Sequence, residues 1–338
     1  MHTFMIDLLE CPVCHSQLDW DINQQNDVQI EQAEAHCSGC AAVYPVWDGI
    51  GIFLTPEVPR NDLWDQVDSQ LTVYLQNHPE LERQLLDAPI ENLSPTDQHF
   101  RALVLEERGN FAAARKAEDL SNLNMYTSEY SVCWNSQIEF VLDSVSAFEE
   151  PILDMASGRC YLVEKLASQL RRPVIASDFS LNVLRRDRKL FQFLGLADLI
   201  TLLAFDARQT PFRDGSIKIM TTNLGLPNIE APGQLLNELH RVIDGTLLAI
   251  SHFFPAEDAM NREVINDAGL DAFLYQESAL KHFISADWEV DLDNSCMAKA
   301  LPTPPSRILE GARPDGLPVA PTELEWCVIR AVSRVISN

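Results

Sequence analysis

The residues best placed for chemistry are cysteines in two close pairs. Cys11-Pro12-Val13-Cys14 and Cys37-Ser38-Gly39-Cys40 are separated by twenty-two residues. Two residues between cysteines let one tight turn aim both sulfurs, and some backbone amides, at a single ion. Four thiolates close a tetrahedral site, which suits structural Zn2+ and leaves no open position for a reacting group. A thioredoxin-like redox motif needs only one such pair and a flanking βαβ pattern, which is absent here. His15 and His36 stand beside the pairs as alternative ligands, but the expected set is Cys11, Cys14, Cys37 and Cys40. The other cysteines, Cys133, Cys160, Cys296 and Cys327, are scattered and read as free thiols.

A second set of chemical residues recurs at the ends of apolar runs. Asp154-Met155-Ala156-Ser157-Gly158-Arg159-Cys160 follows the first run, and its small residues let a ligand approach backbone at a helix start. Asp178 lies twenty residues beyond Gly158, the usual offset for a carboxylate that accepts both hydroxyls of a ribose. Asp206-Ala207 ends the third run, placed to meet an exocyclic amine, and Asn223 ends the fourth. Singly these are weak, since an Asp after a strand is usually a helix cap. Their common order and spacing is what points to a nucleotide-like ligand. A nicotinamide dehydrogenase is disfavoured, because the first turn lacks G-x-G-x-x-G. His252 ends the fifth run, as a hydrogen-bonded structural histidine or as a base.

Elements that could position these residues follow from the pattern. Short apolar runs at 151–155, 173–177, 199–205, 217–223 and 246–252 alternate with helical segments, the mark of βαβ units and a parallel sheet. A long helix is predicted near 258–283, then strands near 287–299 and 325–334 around a proline-rich loop at 300–322. Ligands of such sheets bind at the carboxyl ends of the strands. The loop begins at those ends, so it is expected to shape an acceptor pocket or to be an inert connection. Residues 55–147 are rich in Leu, Glu, Gln and Ala, with helices predicted over Leu63–Gln76, Glu80–Leu86, Asp97–Arg108 and Phe111–Leu123. They form a helical connector or a lid, with Tyr126, Tyr130 and Trp134 just ahead of the sheet.

Two resemblances sharpen this reading. Leu8-Leu9-Glu10-Cys11-Pro12-Val13-Cys14, His36-Cys37-Ser38-Gly39-Cys40 and Tyr44-Pro45-Val46-Trp47-Asp48-Gly49-Ile50 together resemble the small zinc-ribbon activators of methyltransferases. In that family the ribbon binds and stabilises a methyltransferase. Residues 148–338, with the four strand-end elements, Pro211-Phe212-Arg213-Asp214-Gly215-Ser216 and Glu238–Gly245, resemble class I S-adenosylmethionine (SAM)-dependent methyltransferases, in the branch typified by ubiquinone-biosynthesis C-methyltransferases. The resemblance implies a seven-stranded Rossmann-like sheet, mostly parallel with the last strand antiparallel. It places Asp154, Ala156 and Gly158 around the methionine moiety of SAM, Asp178 on the ribose and Phe179 on adenine. Asp206 and Ala207 then take the adenine edge, and Asn223 completes the set. The family's turn usually carries glycine where this chain has Ala156 and Cys160. Cys160 therefore crowds the cofactor or adopts a left-handed backbone costing about 1–2 kcal/mol.

The expected organisation is a zinc ribbon over 1–54, a helical region over 55–147 and a methyltransferase domain over 148–338. The formal charge of −25, from 50 acidic and 25 basic residues, disfavours nucleic-acid partners. The ribbon has no Lys or Arg before Arg60, so it reads as a structural module or a dock for a protein partner. No leader-like start and no long apolar run is present, so a cytoplasmic protein without a membrane span is expected. A small-molecule acceptor is the leading expectation. An RNA or protein methyltransferase, of the guanine-N1 rRNA type, and a non-catalytic SAM-binding or partner-binding module are the alternatives.

Overall fold

A computed structural model describes residues 1–55 and 70–333. The first fifty residues open with a one-turn helix α1 (Met5–Leu8), then form an antiparallel meander of β1 (Leu18–Gln25), β2 (Ile30–Cys37), β3 (Val43–Trp47) and β4 (Ile50–Ile52). The meander does not stand apart as a separate sheet. β4 runs parallel to β7 (Ile200–Ala204), with Ile50, Gly51 and Ile52 opposite Leu202, Leu203 and Ala204.

The remaining strands are β5 (Ile152–Asp154), β6 (Val174–Asp178), β8 (Ile217–Asn223), β9 (Ile243–Phe253), β10 (Trp288–Ala300) and β11 (Thr322–Ser333). One sheet results, in the order β1-β2-β3-β4-β7-β6-β5-β8-β9-β11-β10. β5 to β9 are mutually parallel, while β11 runs antiparallel to both its neighbours. The seven C-terminal strands thus have the expected Rossmann-like layout, and the ribbon extends it.

Helices cover both faces, because strands in a parallel sheet are apolar on both sides. α6 (Ser128–Ser146), α7 (Tyr161–Leu170) and α8 (Leu181–Leu194) bury one face through Ile138, Val141, Leu166, Leu184 and Phe191. On the other face lie α9 (Pro232–Val242), with Leu235 and Leu239, and the segment 259–285, with Phe273 and Phe283. That segment corrects the single long helix expected near 258–283. It breaks into α10 (Ala259–Asp267), α11 (Asp271–Leu274) and α12 (Gln276–Ser285). Gly269 takes a φ of +68° after α10, and Tyr275 is extended between the last two, so the hydrogen-bond ladder stops twice.

The middle region folds as α2 (Gln70–Asn77), α3 (Pro79–Asp87), α4 (Pro95–Glu107) and α5 (Phe111–Met125). The first part of the helix expected over 63–76 lies outside the described residues. Local rules set the starts that matter: Ser94 caps α4 ahead of Pro95, Asn110 caps α5 and Thr127 caps α6. Leu75, Leu85, Phe100, Leu103 and Val104 form a small core of their own, closed by Leu309 from the proline-rich loop. That loop is anchored by the buried Asp97 carboxylate, which accepts from Ser306 Oγ at 2.5 Å and from the amides of Arg307 and Ile308. The loop is thus tied to the start of α4.

Cys133 and Cys296 correct the expectation of free thiols. α6 packs on β10, bringing two residues 163 positions apart to a Cα separation of 6.2 Å, and they form a disulfide. Among the described residues, no helix is long and apolar enough to cross a membrane.

Candidate active site

Strand order reverses between β5 and β8, and the chemical residues gather at the carboxyl ends on either side of that point. Asp154 closes β5. It is fully buried, accepts the Thr221 hydroxyl at 2.6 Å, and burial pushes its carboxyl up to about 7. The turn that follows takes left-handed backbone at Ala156, Gly158 and Cys160, with φ of 51°, 52° and 57°. The predicted strain at Cys160 is present. The thiol is buried and donates to Asp187 Oδ2 at 3.3 Å.

The ends of β5 and β6 are stitched together. Ser157 N donates to Ser177 O, and Gly158 N to Asp178 Oδ2 at 3.1 Å. Asp178 Oδ1 accepts from Ser180 N at 2.9 Å, so the carboxylate joins the turn to the amide just ahead of α8. Phe179 beside it is half-buried, and Ala207 is buried next to Asp206. At the end of β8, Asn223 Oδ1 accepts from Trp134 Nε1 at 3.2 Å, and the Trp134 ring stacks on Tyr161 at 5.0 Å. α6 therefore lays an aromatic side chain directly over the reversal point.

Asp206 departs from its expected availability. Arg208, two residues on, donates from Nε to Oδ1 at 3.0 Å and from Nη2 to Oδ2 at 2.8 Å. A ligand amine reaching this carboxylate has to displace that guanidinium. A residue so close in sequence was visible beforehand, but nothing in a strand-end pattern singles it out.

Helices α4 and α5 are tied to this turn by long-range charges. Arg159, inside the glycine turn, donates to Glu106 of α4 at 2.6 Å and pairs with Glu118 of α5 at 2.7 Å. Arg186 of α8 lies 4.0 Å from Glu106 and 3.4 Å from Asp187, and Arg115 of α5 pairs with Glu164 of α7. These residues come from four separate helices and a turn, so no local spacing reveals them.

His252 sits at the end of β9, opposite Trp326 of β11, with ring centroids 5.0 Å apart. Its Nδ1 is buried without a hydrogen-bond partner among the described residues, and burial lowers the imidazole to about 4. The ring is neutral at physiological pH. That does not suit a hydrogen-bonded structural histidine.

At the other end of the molecule, the four cysteine sulfurs lie within 4.8 Å of one another. A tetrahedral zinc with ~2.3 Å bonds sets sulfurs about 3.8 Å apart. The Cys11–Cys40 and Cys14–Cys37 sulfurs are 3.6 and 3.3 Å apart, and the amides of Gly39 and Cys40 point at Cys37 Sγ, as thiolate ligands require. A Cβ on Gly39 would lie 2.3 Å from Ser16 Oγ and 3.1 Å from Cys14 Sγ, so this knuckle needs glycine. The donor set fits zinc. His15 turns to Glu10 at 2.7 Å and His36 to Glu34 at 3.4 Å, leaving the sulfurs as the cluster.

The ribbon also clasps the loop that carries Asp206. Phe53 N donates to Ala204 O at 2.7 Å, Glu10 N to Pro211 O at 2.8 Å, and Thr55 Oγ1 to Gln209 Oε1 at 2.7 Å. Arg241 bridges Glu10 and Glu238, and Glu238 accepts from both the amide and the hydroxyl of Thr210.

With this geometry in view, the profile of the methyltransferase domain family matches residues 153–248, which run from β5 into β9. Over this stretch the chain is similar to methyltransferase domains. The demethylmenaquinone methyltransferase of Lactiplantibacillus plantarum is 31% identical over 94 residues, covering 27% of this chain and 40% of that protein. The ubiquinone/menaquinone biosynthesis C-methyltransferase of Pseudoalteromonas translucida is 26% identical over 115 residues, covering 33% of this chain and 46% of that protein. The chain spans less than half the length of these curated relatives. The solved YcgJ protein of Bacillus subtilis aligns over 60% of this chain and 99% of its own, at 16% identity and a TM-score of 0.46.

Proposed function

We propose that the methyltransferase domain, over 148–338, uses SAM to methylate a small-molecule acceptor. Residues 1–54 act as a zinc-stabilised ribbon and 55–147 as its lid. One observation carries the reading: the turn after β5 and the carboxylate after β6 are joined through Gly158 N and Asp178, at the point where strand order reverses. A backbone turn and a carboxylate so fixed can hold the two halves of an amino-acid nucleoside. Asp178 would orient the ribose hydroxyls, with Asp154, Ala156, Gly158 and Asn223 around the amino-acid end. Phe179, Asp206 and Ala207 would take the adenine.

When bound, SAM supplies a methyl group on a sulfonium that is already a good leaving group. The protein's work is to align the acceptor in line and to take up a proton where the acceptor must lose one. His252 Nδ1, neutral and without a partner, can receive that proton. The charge of −25 favours a small molecule over RNA, and the quinone-biosynthesis relatives act, by their names, on small molecules. The non-catalytic reading draws support from Arg208 on Asp206 and from the left-handed Ala156 and Cys160.

Calorimetric titration of zinc-loaded protein with SAM and S-adenosylhomocysteine separates the two. Micromolar binding that Asp178→Ala abolishes is expected. No binding by folded protein rejects the enzyme reading and leaves the non-catalytic one.

A further inference from the structure

Arg208 stands between Asp206 and the adenine that this carboxylate is proposed to meet. Its guanidinium takes both oxygens, from Nε to Oδ1 at 3.0 Å and from Nη2 to Oδ2 at 2.8 Å. Fork-on-carboxylate pairing of this kind is among the stronger charge-assisted contacts, and Asp206 is only 3% exposed. An adenine amine offers the same acid a neutral donor. On contact strength alone the guanidinium wins, so the acid is shut to an amine unless the arginine has another partner to turn to.

Such a partner is within reach. Nη1, the remaining nitrogen of the fork, lies 3.5 Å from Glu230 Oε2. Glu230 is two-thirds exposed and stands just ahead of α9, where Ala231 turns left-handed at a φ of 54° before Pro232. The backbone around Arg208 is fixed. Its amide donates to Asp206 Oδ1 at 2.9 Å, and its carbonyl accepts from Gln234 of α9 at 3.3 Å. Thr55 holds Gln209, and Glu238 holds Thr210. A loop pinned on both sides does not open by moving its main chain. The arginine side chain, with nitrogens in reach of two carboxylates, is the part that can turn.

We propose that Arg208 is a gate at the adenine end of the site, holding Asp206 until an adenine amine arrives and then passing to Glu230. This rests on the methyltransferase reading and adds to it how that site opens. The cation leaves one carboxylate for another, while Asp206 exchanges a charged donor for a neutral one. Before the ligand enters, the exchange keeps a buried acid paired, since an unpaired one is costly. It also sets affinity, because the ligand binds only the fraction of molecules in which the guanidinium has turned.

The test is calorimetric titration of zinc-loaded full chain with S-adenosylhomocysteine. Arg208→Ala removes the competitor and should bind about tenfold tighter than the parent, as for a site open about a tenth of the time. Glu230→Gln removes the second partner and should bind about threefold weaker, the scale of an exposed ion pair. In the Arg208→Ala background, Glu230→Gln should change nothing, a coupling that a merely structural role for either residue does not produce. S-inosylhomocysteine, with a carbonyl in place of the amine, should gain nothing from Arg208→Ala. An Arg208→Ala protein that binds no tighter than the parent overturns the gate and leaves the methyltransferase reading in place, as does a Glu230→Gln effect that persists without Arg208. Binding by neither folded protein removes the reading and the gate together. Binding by Arg208→Ala alone makes the arginine a permanent plug and overturns the exchange.

Discussion

Arg159→Ala would test whether α4 and α5 are held to the turn by charge. The guanidinium bridges Glu106 and Glu118 at 2.6 and 2.7 Å, and its side chain is only 17% exposed. Removing one partner of a buried ion pair costs about 3–5 kcal/mol, because the other charge is left uncompensated. Arg186, 4.0 Å from Glu106, offsets part of this, so the lower end, about 3 kcal/mol, applies. At about 1.4 °C per kcal/mol for a chain of 338 residues, melting should fall by about 4 °C.

The pH dependence adds a second check. Burial already raises the Glu118 carboxyl above its usual 4.5, and losing Arg159 raises it further. A carboxyl raised in the folded state costs stability above its folded pKa and nothing below its unfolded one. The deficit should therefore be full at pH 8 and shrink as the pH falls toward 4.5. Adding Glu106→Gln and Glu118→Gln should recover more than half of the loss. Thermal unfolding followed by circular dichroism reads all three. A single variant that melts with the parent, or a triple variant no better than the single, refutes the latch.

Further expectations concern the turn, the buried acid, the imidazole and the metal. Cys160→Gly should be about 1–2 kcal/mol more stable than Cys160→Ala, since both lose the bond to Asp187 but only glycine relieves the left-handed backbone; denaturant unfolding measures this, and the reverse order counts against strain. Asp154, lifted from 3.8 to about 7, makes the native state bind the extra proton, so stability falls as pH rises between those values. Asp154→Asn should gain on the parent across that window, and a melting difference that stays flat with pH refutes it. Once an acceptor is known, His252→Gln should lower kcat with little change in SAM affinity, and the acid limb of the parent's pH–rate profile should lie near pH 4. Chelation should release one zinc per chain, and hydrogen exchange should then rise in β7 as well as in the ribbon; exchange confined to residues 1–50 would show that the pairing of β4 with β7 is unimportant.

Much of the frame was legible because it rests on local rules. Doubled C-x2-C fixes a metal knuckle, and alternation of apolar runs with helices fixes a parallel sheet whose strand ends hold Asp154, Asp178 and Asp206. What the residues could not announce were pairings between distant segments. Ile50–Ile52 reads as the end of a small ribbon, yet becomes a partner for β7. Glu106, Glu118 and Arg159 are ordinary surface residues by type until α4 and α5 pack against the turn. Cys133 and Cys296 look scattered until α6 packs on β10. Asp315 sits in a loop that reads as a connection, and only Tyr126, nearly two hundred positions away, shows where it faces.

The pairing of β4 with β7 has a consequence for the life of the chain before it carries metal. In isolation, β7 would be an outermost strand: buried, apolar and parallel, with a free row of N–H and C=O groups that any other extended chain could zip onto. Three ribbon residues close that row, and they are held in place by a module too small to fold without its ion. The sheet then ends instead on β1, where Asp19, Asp21 and their polar neighbours discourage a further strand. Whatever holds the four-cysteine module together therefore also finishes the sheet. Were the four-cysteine module to come apart, the uncovered edge of β7 would be the first hazard the chain meets.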